Sequence, residues 1–281
     1  MKRILLPTDF SDNAWNAIFT ALKLYANMEC QFYLLHAYEP KSINLLGRKS
    51  QKRLGFIYDS LSQSSEKELK KILAYLHENH KNAKHTFESI STASSLEEAV
   101  VNSTINSDID MIIMGTQGAT GAKEIFLGSN TVKVLKKINK LPIIVVPEAY
   151  NFQKLKKVIF PTDYIKSYEK FALHPLIELV TLWKSKLHIL HITSENVLNA
   201  TQQTNKKILQ ERLFSLQNSF ENVAFNSNIA HSLEKYLVDN ETQLMAIIRH
   251  HHSFWEKLIG EPVIKKVAFH TSVPVLMLPE D

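Results

Sequence analysis

The sequence predicts an α/β protein of two tandem, doubly wound domains, each built on a five-stranded parallel sheet. Two observations support this fold class. The chain repeats three motifs in the same order, and each copy alternates short apolar runs with longer amphipathic stretches. Alternating strands and helices form right-handed βαβ units, in which helices cover both faces of a parallel sheet. A chain of 281 residues also exceeds the usual size of a single domain.

The internal repeat divides the chain into two copies. "KRILLPTDF" near the N-terminus returns as "KKVIFPTDY" after 154 residues. "FYLLHAY" returns as "LHILHIT", so that His36 matches His191. The closing motif "LPIIVVP" returns as "VPVLMLP". Three matches in one order indicate a tandem duplication, and we place the two domains at residues 1–150 and 151–281.

Five apolar runs of the first copy are predicted strands, because each is short and bounded by polar or turn residues. Runs such as "MIIM" and "IIVV" are apolar throughout, which is typical of a sheet buried on both faces. In chain order the predicted strands are "RILLP", "QFYLLHAY", "HTFESI", "DMIIMG" and "PIIVVP".

Four amphipathic stretches between these runs are predicted helices. In the first of them, Ala14, Ile18 and Ala21 recur at helical spacing. "SSLE" indicates a capping box at the third, in which Ser94 and Glu97 would satisfy free N–H groups. The predicted helices cover residues 11–27, 60–80, 94–105 and 129–140.

The second copy is predicted to follow the same plan. Pro175 falls inside its first helical pattern, and we expect it to shorten or kink that helix because proline lacks the N–H that a helix needs. The predicted strands of this copy cover residues 157–161, 186–191, 222–229, 244–249 and 274–278.

Composition argues against several classes of function. Hydrophobic residues make up 44% of the chain and charged residues 22%, as in ordinary globular proteins, and the net charge is only +5. No stretch reaches the roughly 18 apolar residues of a membrane span, and Pro7 and Asp9 interrupt the N-terminal apolar run too early for a signal peptide. Cys30 is the only cysteine, so the chain cannot form an internal disulfide. We expect a cytoplasmic protein with no nucleic-acid or membrane partner.

The densest basic run covers residues 41–53, "KSINLLGRKSQKR", with five Lys or Arg and no acidic residue. It lacks the aromatic residues of a surface that binds single-stranded nucleic acid. We interpret it as a solvated loop, with contact to an anion as the alternative.

Glycine is concentrated in one segment of the first copy. "MGTQGATGAKEIFLGSNT" holds four of the seven glycines, with the spacing Gly115-x2-Gly118-x9-Gly128-Ser129. The segment links the predicted fourth strand to the last helix, at the sheet edge where α/β proteins bind ligands. Gly115 and Gly118 can adopt positive φ and let backbone N–H groups approach an anion. The helix that begins at Ser129 attracts phosphate through its free N–H groups and its dipole.

Simpler interpretations remain open for single residues. Any one of these glycines could merely form a turn, and Asp9, after the first strand, could be a helix N-cap as well as a ligand contact. The spacing matches neither the Rossmann fingerprint nor the P-loop. No G-x-S-x-G elbow supports a catalytic triad.

Several of these motifs together resemble those of the universal stress protein family. The resemblance is carried by "PTDFS", "LLHAY", the glycine and serine spacing, and "LPIIVVP". It covers nearly the whole chain and is weaker in the second copy. The spacing is similar to that of the nucleotide-binding branch of the family, and the chain resembles a tandem form with two such domains. The resemblance implies a Rossmann-like fold of the adenine nucleotide α-hydrolase type and a role in the stress response.

The resemblance also implies a ligand, namely ATP or ADP, with AMP as an alternative, accompanied by Mg²⁺ or Mn²⁺ bridged by phosphates. By position, Pro7, Thr8 and Asp9 would border the adenosine, and the backbone of Ala37 would read the adenine edge. The residues that would line the ribose and phosphates are Met114, Gly115, Gly118, Gly128, Ser129, Asn130 and Thr131.

The second copy departs from this pattern. Aligning the final glycines places Arg249 where the first copy has Gly115, and Glu261 where it has Ser129. A carboxylate repels phosphate, and a bulky residue blocks the approach of the backbone. Asp163 is retained, so we expect a degenerate domain with half a site. The histidines of "RHHH" point in alternate directions on an extended segment, and we interpret them as a structural loop, with metal or anion binding as the alternative.

Three functions are therefore weighed. The first is a regulatory protein that binds nucleotide in its N-terminal domain. The second is an interaction protein with vestigial sites, and the third is a slow ATPase, for which the sequence offers no general base and no Walker lysine. Because family members commonly pair through the last strand, the resemblance implies that "PIIVVP" and "PVLMLP" pair within the chain. The two halves would then form a pseudo-dimer, with a homodimer of whole chains as a further expectation.

Overall fold

The computed structural model describes residues 1–40, 48–116, 127–193, 197–225, 229–248 and 271–279. Within these ranges strands and helices alternate along the chain, which confirms the predicted α/β class. The elements of the first half are β1 (Lys2–Pro7), α1 (Asp12–Leu24), β2 (Cys30–Ala37), α2 (Arg48–Asn79), β3 (His85–Thr92), α3 (Leu96–Asn106), β4 (Met111–Gly115), α4 (Ser129–Lys137) and β5 (Ile143–Val146).

The second half repeats this order of elements as far as the structure describes it. Its elements are β6 (Lys157–Pro161), α5 (Lys170–Trp183), β7 (Lys186–Thr193), α6 (Ala200–Leu213), β8 (Asn218–Ala224), α7 (Ile229–Asp239), β9 (Leu244–Ile248) and β10 (Val275–Leu278).

The strands form one ten-stranded sheet in the order β3-β2-β1-β4-β5-β10-β9-β6-β7-β8. Strands within each half are parallel, whereas β5 and β10 pair antiparallel, with Ile144 opposite Leu276. The expected pairing of "PIIVVP" with "PVLMLP" is confirmed. Because β1, β2 and β4 are parallel neighbours, their carboxyl ends lie at one edge of the sheet.

Alternation along the buried strands places the core on both faces of this sheet. Ile4 and Leu6 face one cluster, while Leu5 faces the other. The first cluster is covered by α1, α2, α5 and α6, and the second by α3, α4 and α7. Both clusters contain residues of both halves. The indole N–H of Trp183, in the second half, donates to Leu24 O, in the first half, at 2.8 Å.

The predicted bounds of one helix and one strand are wrong. Helix α2 begins at Arg48 rather than at residue 60, so residues 48–53 of the basic run are helical and not a loop. Lysine, arginine, glutamine and leucine are good helix formers, while residues 41–47 lie outside the described ranges. Strand β8 covers Asn218–Ala224 instead of the predicted residues 222–229, so both of its ends are displaced toward the N-terminus. Among the described strands it lies at the edge of the sheet and pairs with β7. Its sequence is largely polar, so the apolar pattern that predicts a strand is weak.

Two local predictions also need correction. The N-cap of α3 is Ser95 rather than Ser94, and its Oγ accepts a hydrogen bond from Glu98 N at 3.3 Å. Pro175 lies inside α5 and does not end it, since the helix continues to Trp183, while the alternative of a kink stays a prediction. A proline at this position leaves the carbonyl four residues earlier, on Phe171, without its helical N–H partner, and Phe171 is an exposed residue.

Candidate functional site

The turn after β1 is held by hydrogen bonds to Thr8. Pro7 is buried as the last residue of β1. Thr8 is also buried, and its N–H donates to Leu35 O at 2.8 Å. Its Oγ1 accepts from Phe10 N at 3.0 Å. Phe10 has a φ of 67°, a left-handed conformation that is uncommon for a bulky residue. The turn therefore places the residue between them, Asp9, in a defined position.

Asp9 is exposed at this turn and orients the start of α1. Its Oδ1 accepts from Ser11 N at 3.1 Å and from Ser11 Oγ at 2.6 Å. Ser11 is the N-cap residue, since its side chain accepts from Ala14 N at 3.3 Å. The alternative interpretation of Asp9 as the N-cap is therefore wrong. Its carboxylate orients the cap and still reaches the solvent at the sheet edge.

The carboxyl end of β2 lies beside this turn. Ala37 is the last residue of β2 and is half-buried. The residue before it, His36, has Nδ1 at 2.8 Å from Ser65 Oγ on α2, and that oxygen lies 2.7 Å from Ser91 Oγ on β3. The ring centroid of His36 is 4.4 Å from that of Phe10. Hydrogen bonds thus connect side chains of β2, α2 and β3, and the His36 ring connects them to the turn.

Two effects act on the pKa of His36. Burial lowers the pKa, because it disfavours the charged ring, and the nearby carboxylate of Asp9 acts in the opposite direction. The net pKa is below the ordinary value of 6.5, so the ring is neutral near pH 7.

The carboxyl end of β4 approaches α1 very closely. Met114 is buried and Gly115 ends the strand. A Cβ on Gly115 would lie 2.2 Å from Oδ1 and 2.7 Å from Cγ of Asn13. Asn13 is buried and donates from Nδ2 to Val146 O at 3.2 Å. Gly115 does not have a positive φ. The close approach of Asn13 favours glycine here, and the predicted positive φ is wrong, whereas access of an anion to the Gly115 N–H stays a prediction.

The start of α4 is tied to the same strand end. Gly128 is the N-cap with a φ of −57°, and its N–H donates to Thr116 O at 2.6 Å. Ser129 and Asn130 are exposed in the first turn, where helix N–H groups have no partner inside the helix. Thr131 is buried, and its hydroxyl donates to the last carbonyl of β4 at 3.0 Å. Thr131 therefore anchors the helix start to the strand.

Most of the predicted site residues lie together at the carboxyl edge of β2, β1 and β4. These are Pro7, Thr8, Asp9, Ala37, Met114, Gly115, Gly128, Ser129, Asn130 and Thr131. Gly118 lies outside the described residues. An exposed carboxylate faces this edge from β1, and a helix N-terminus with exposed donors faces it from β4. Such an arrangement suits a ligand that carries both hydroxyl or amino groups and an anionic end.

Sequence reasoning missed three residues that shape this edge. Asn13 packs on Gly115, and His36 packs against Phe10 in the turn after β1. The carbonyl of Thr116 accepts a hydrogen bond from the N–H of Gly128. Thr116 Oγ1 is buried with no hydrogen-bond partner in the described part of the chain. The signal for Asn13 was a polar residue on the apolar face of α1, and the signal for His36 was its recurrence in the second copy.

The second half repeats the turn, and helix α6 contacts it. Tyr164 has a φ of 56° and donates from its N–H to Thr162 Oγ1 at 3.1 Å, while Asp163 Oδ1 accepts from Ile165 N at 3.0 Å. Asn205 of α6 donates to Tyr164 O at 2.9 Å. The segment expected to lack phosphate-binding groups, residues 249–262 with "RHHH", lies outside the described residues.

No group of three His, Cys, Asp or Glu side chains is placed to hold a metal ion within the described ranges. Lys133, near the start of α4, pairs with Glu97 at 3.5 Å. None of the helices that the structure describes combines the length and apolar character needed to cross a bilayer.

A cleft of ≈ 750 Å³ lies at the opposite edge of the first half. Its lining includes Lys2, Asp110 and Pro142, at the amino-terminal ends of β1, β4 and β5, together with Glu178 of α5. Since these strands are parallel, the cleft is separate from the candidate site.

Comparison with known proteins agrees with this architecture. The model of the "Universal stress protein family" matches residues 1–147. The universal stress protein Slr1230 of Synechocystis is 27% identical, covering 98% of this chain and 99% of that protein. The universal stress protein MJ0577 of Methanocaldococcus jannaschii is 30% identical, covering 52% of this chain and 94% of that protein.

Solved structures share the two-domain fold. A universal stress protein from Archaeoglobus fulgidus superposes with a TM-score of 0.66 at 15% identity, covering 99% of this chain and 96% of that one. A putative universal stress protein from Pseudomonas aeruginosa superposes with a TM-score of 0.60 at 11% identity, covering 99% and 93%. Because the family model matches more than half of the residues of this chain, the chain belongs to the universal stress protein family.

Proposed function

We propose that the first half binds an adenine nucleotide, ATP or ADP, at the carboxyl edge of β2, β1 and β4, and that the protein has a regulatory role in a cytoplasmic stress response. One observation carries the proposal. The exposed carboxylate of Asp9 and the N-terminus of α4 face the same edge, and Gly128 N joins that helix directly to Thr116 O at 2.6 Å. The glycine and serine spacing of the nucleotide-binding branch supports the choice of ligand.

The groups at this edge divide between the two ends of a nucleotide. The carboxylate of Asp9 accepts hydrogen bonds from ribose hydroxyls or the adenine amino group, and the backbone of Ala37 reads the adenine edge. The exposed donors of Ser129 and Asn130 and the dipole of α4 favour the phosphates. AMP would use the same adenosine contacts, and Mg²⁺ or Mn²⁺ would be held through the phosphates.

We further propose that the halves, residues 1–150 and 151–281, form a pseudo-dimer in which the second site is degenerate. The antiparallel pairing of β5 and β10 supports this arrangement, as does the α6 contact to Tyr164 O. Glu261 in place of Ser129 would repel phosphate. Light scattering coupled to size-exclusion chromatography tests whether whole chains form a homodimer in addition.

Isothermal titration of the purified chain with ATP and ADP tests the nucleotide site. Asp9→Asn is the informative variant, and Asp163→Asn is its matched control. The two carboxylates occupy equivalent turns of the two halves, and each accepts a hydrogen bond from a backbone N–H, at 3.1 and 3.0 Å respectively. We expect Asp9→Asn to weaken binding at least about tenfold, because hydrogen bonds to a charged acceptor are the strong ones. Asp163→Asn should leave the affinity unchanged.

Two results would contradict the proposal. One is the absence of ATP and ADP binding to wild-type protein, together with the absence of any nucleotide in mass spectra of the denatured chain; it would favour the interaction protein with vestigial sites. The other is an equal loss of affinity in both variants, which would mean that the turn of the first half has no special contact with the ligand.

A further inference from the structure

His36 packs against the turn that carries Asp9. The centroids of its ring and that of Phe10 are 4.4 Å apart, with a tilt of 38°. Phe10 directly follows Asp9, and its φ of 67° is maintained only where the surrounding structure holds it. Contact with His36 is therefore one of the interactions that keep the turn in this conformation.

The ring of His36 is itself held from the other side. Its Nδ1 lies 2.8 Å from Ser65 Oγ, which in turn lies 2.7 Å from Ser91 Oγ. Ser65 is only 1% exposed, so this hydrogen bond is shielded from water. Shielded hydrogen bonds in a connected network resist rearrangement. His36 thus transmits the positions of α2 and β3 to the turn after β1.

The second half has the same histidine in a different arrangement. The ring of His191 lies 5.1 Å from that of Tyr164, but its Nδ1 lies 3.0 Å from Thr162 O in the turn itself. There the following helix contacts the turn directly, through Asn205 Nδ2 and Tyr164 O at 2.9 Å. His191 is therefore bonded to its own turn, whereas the Nδ1 of His36 is anchored to the next helix.

We propose that His36 is a positioning residue for the nucleotide site. Oriented by Ser65, it supports Phe10 and so fixes the carboxylate of Asp9 toward the ligand without touching the ligand itself. The proposal rests on nucleotide binding at this edge. It predicts that loss of the ring, rather than loss of general stability, lowers nucleotide affinity.

The test is isothermal titration with ATP on three variants whose melting temperatures are also measured. His36→Asn removes the ring, His36→Phe keeps a ring against Phe10, and His191→Asn is the matched control in the second half. We expect His36→Asn to weaken ATP binding about tenfold, since a misplaced polar group loses most of its contact. His36→Phe should recover most of that loss, and His191→Asn should bind as wild type even where its melting temperature falls equally.

The outcomes separate this proposal from the proposed function. If wild type binds no nucleotide, the site itself is wrong. If wild type binds and His36→Asn binds equally well, if His191→Asn weakens binding as much, or if His36→Phe recovers nothing, only the positioning role is overturned. Should His36→Asn fail to fold, His36→Gln takes its place, because it also removes the ring and keeps a polar side chain. Wild-type affinity in His36→Gln would then overturn the role.

Discussion

Lys2 and Glu178 form an ion pair between the two halves, in which Lys2 Nζ donates to both carboxylate oxygens, at 2.7 and 2.8 Å. The pair joins β1 to α5, and its side chains are only 12% and 23% exposed. Lys2 Nζ also lies 5.6 Å from the centroid of the Tyr25 ring. Charges this shielded are costly to leave without a partner.

Replacing one member of this pair should therefore destabilise the chain more than replacing both members. We expect Lys2→Met to lower the free energy of unfolding by about 3 kcal/mol, because Glu178 is left without its cation. Urea unfolding followed by circular dichroism measures the effect. The double variant Lys2→Met/Glu178→Met should recover much of the loss, and a double variant less stable than the single one would contradict the argument.

Gly115 provides a second prediction, from the close approach of α1. A Cβ there would lie 2.2 Å from Asn13 Oδ1, so Gly115→Ala must displace a buried side chain. We expect a loss of about 1–3 kcal/mol in the free energy of unfolding. Gly55 is the matched control, since it lies inside α2 with nothing within 4 Å of an added Cβ. Gly55→Ala should stabilise by about 0.5–1 kcal/mol.

Urea unfolding of the two alanine variants compares these opposite effects. A Gly115→Ala protein as stable as wild type would show that Asn13 moves aside at little cost. In that case the glycine would need another explanation, such as the approach of a ligand to the backbone.

Both glycine sites show how far the sequence could predict this molecule. The strands were found because β1, β4 and β5 are buried on both faces and leave runs of apolar residues. The location of the site followed, because parallel strands end at one edge. The reason for Gly115 could not be predicted, because it depends on Asn13, a residue 102 positions earlier whose side chain meets it only after folding.

Helix and strand ends were harder to predict for similar reasons. Strand β8 lies at the sheet edge with one neighbour, so its side chains are only partly buried and its pattern is weak. At the start of α3, two adjacent serines offer equivalent hydroxyls, and the backbone conformation decides between them. The structure selects Ser95, with φ of −62° and ψ of 154°.

This choice of cap is testable with a matched pair of variants. Ser95→Ala removes the hydroxyl that accepts from Glu98 N at 3.3 Å, and we expect a loss of about 1 kcal/mol in the free energy of unfolding. Ser94→Ala should change the stability by less than about 0.5 kcal/mol. Thermal and urea unfolding of both variants measure the difference. Equal losses of stability would contradict the assignment of the cap to Ser95 rather than Ser94.

The last prediction concerns two histidines where α2 meets β3. His80 Nε2 lies 2.8 Å from His85 Nδ1, and His85 Nε2 lies 3.1 Å from Tyr25 O. A carbonyl can only accept, so His85 carries its proton on Nε2, and its Nδ1 accepts from His80. This chain of hydrogen bonds requires a neutral ring at His85, whose Nδ1 accepts, while His80 donates from Nε2. Burial lowers the pKa of each below the ordinary value of 6.5. For His85 the hydrogen bond to Tyr25 O acts in the opposite direction, while the proximity of His80 and Lys84 lowers the pKa, and the net direction is downward.

The sign of the effect on stability follows from these directions. Between the lowered pKa values and 6.5, the unfolded chain binds more protons than the folded one, so stability is complete above about pH 7 and falls as the pH drops from 6.5 to the folded pKa values. Urea unfolding midpoints at pH 7, 6 and 5 should decrease in that order. The double variant His80→Gln/His85→Gln should show a shallower decrease over the same range, because neither position then takes up a proton. An identical slope in wild type and variant would assign the pH dependence to other groups, of which His36, with its own lowered pKa, is the first to replace.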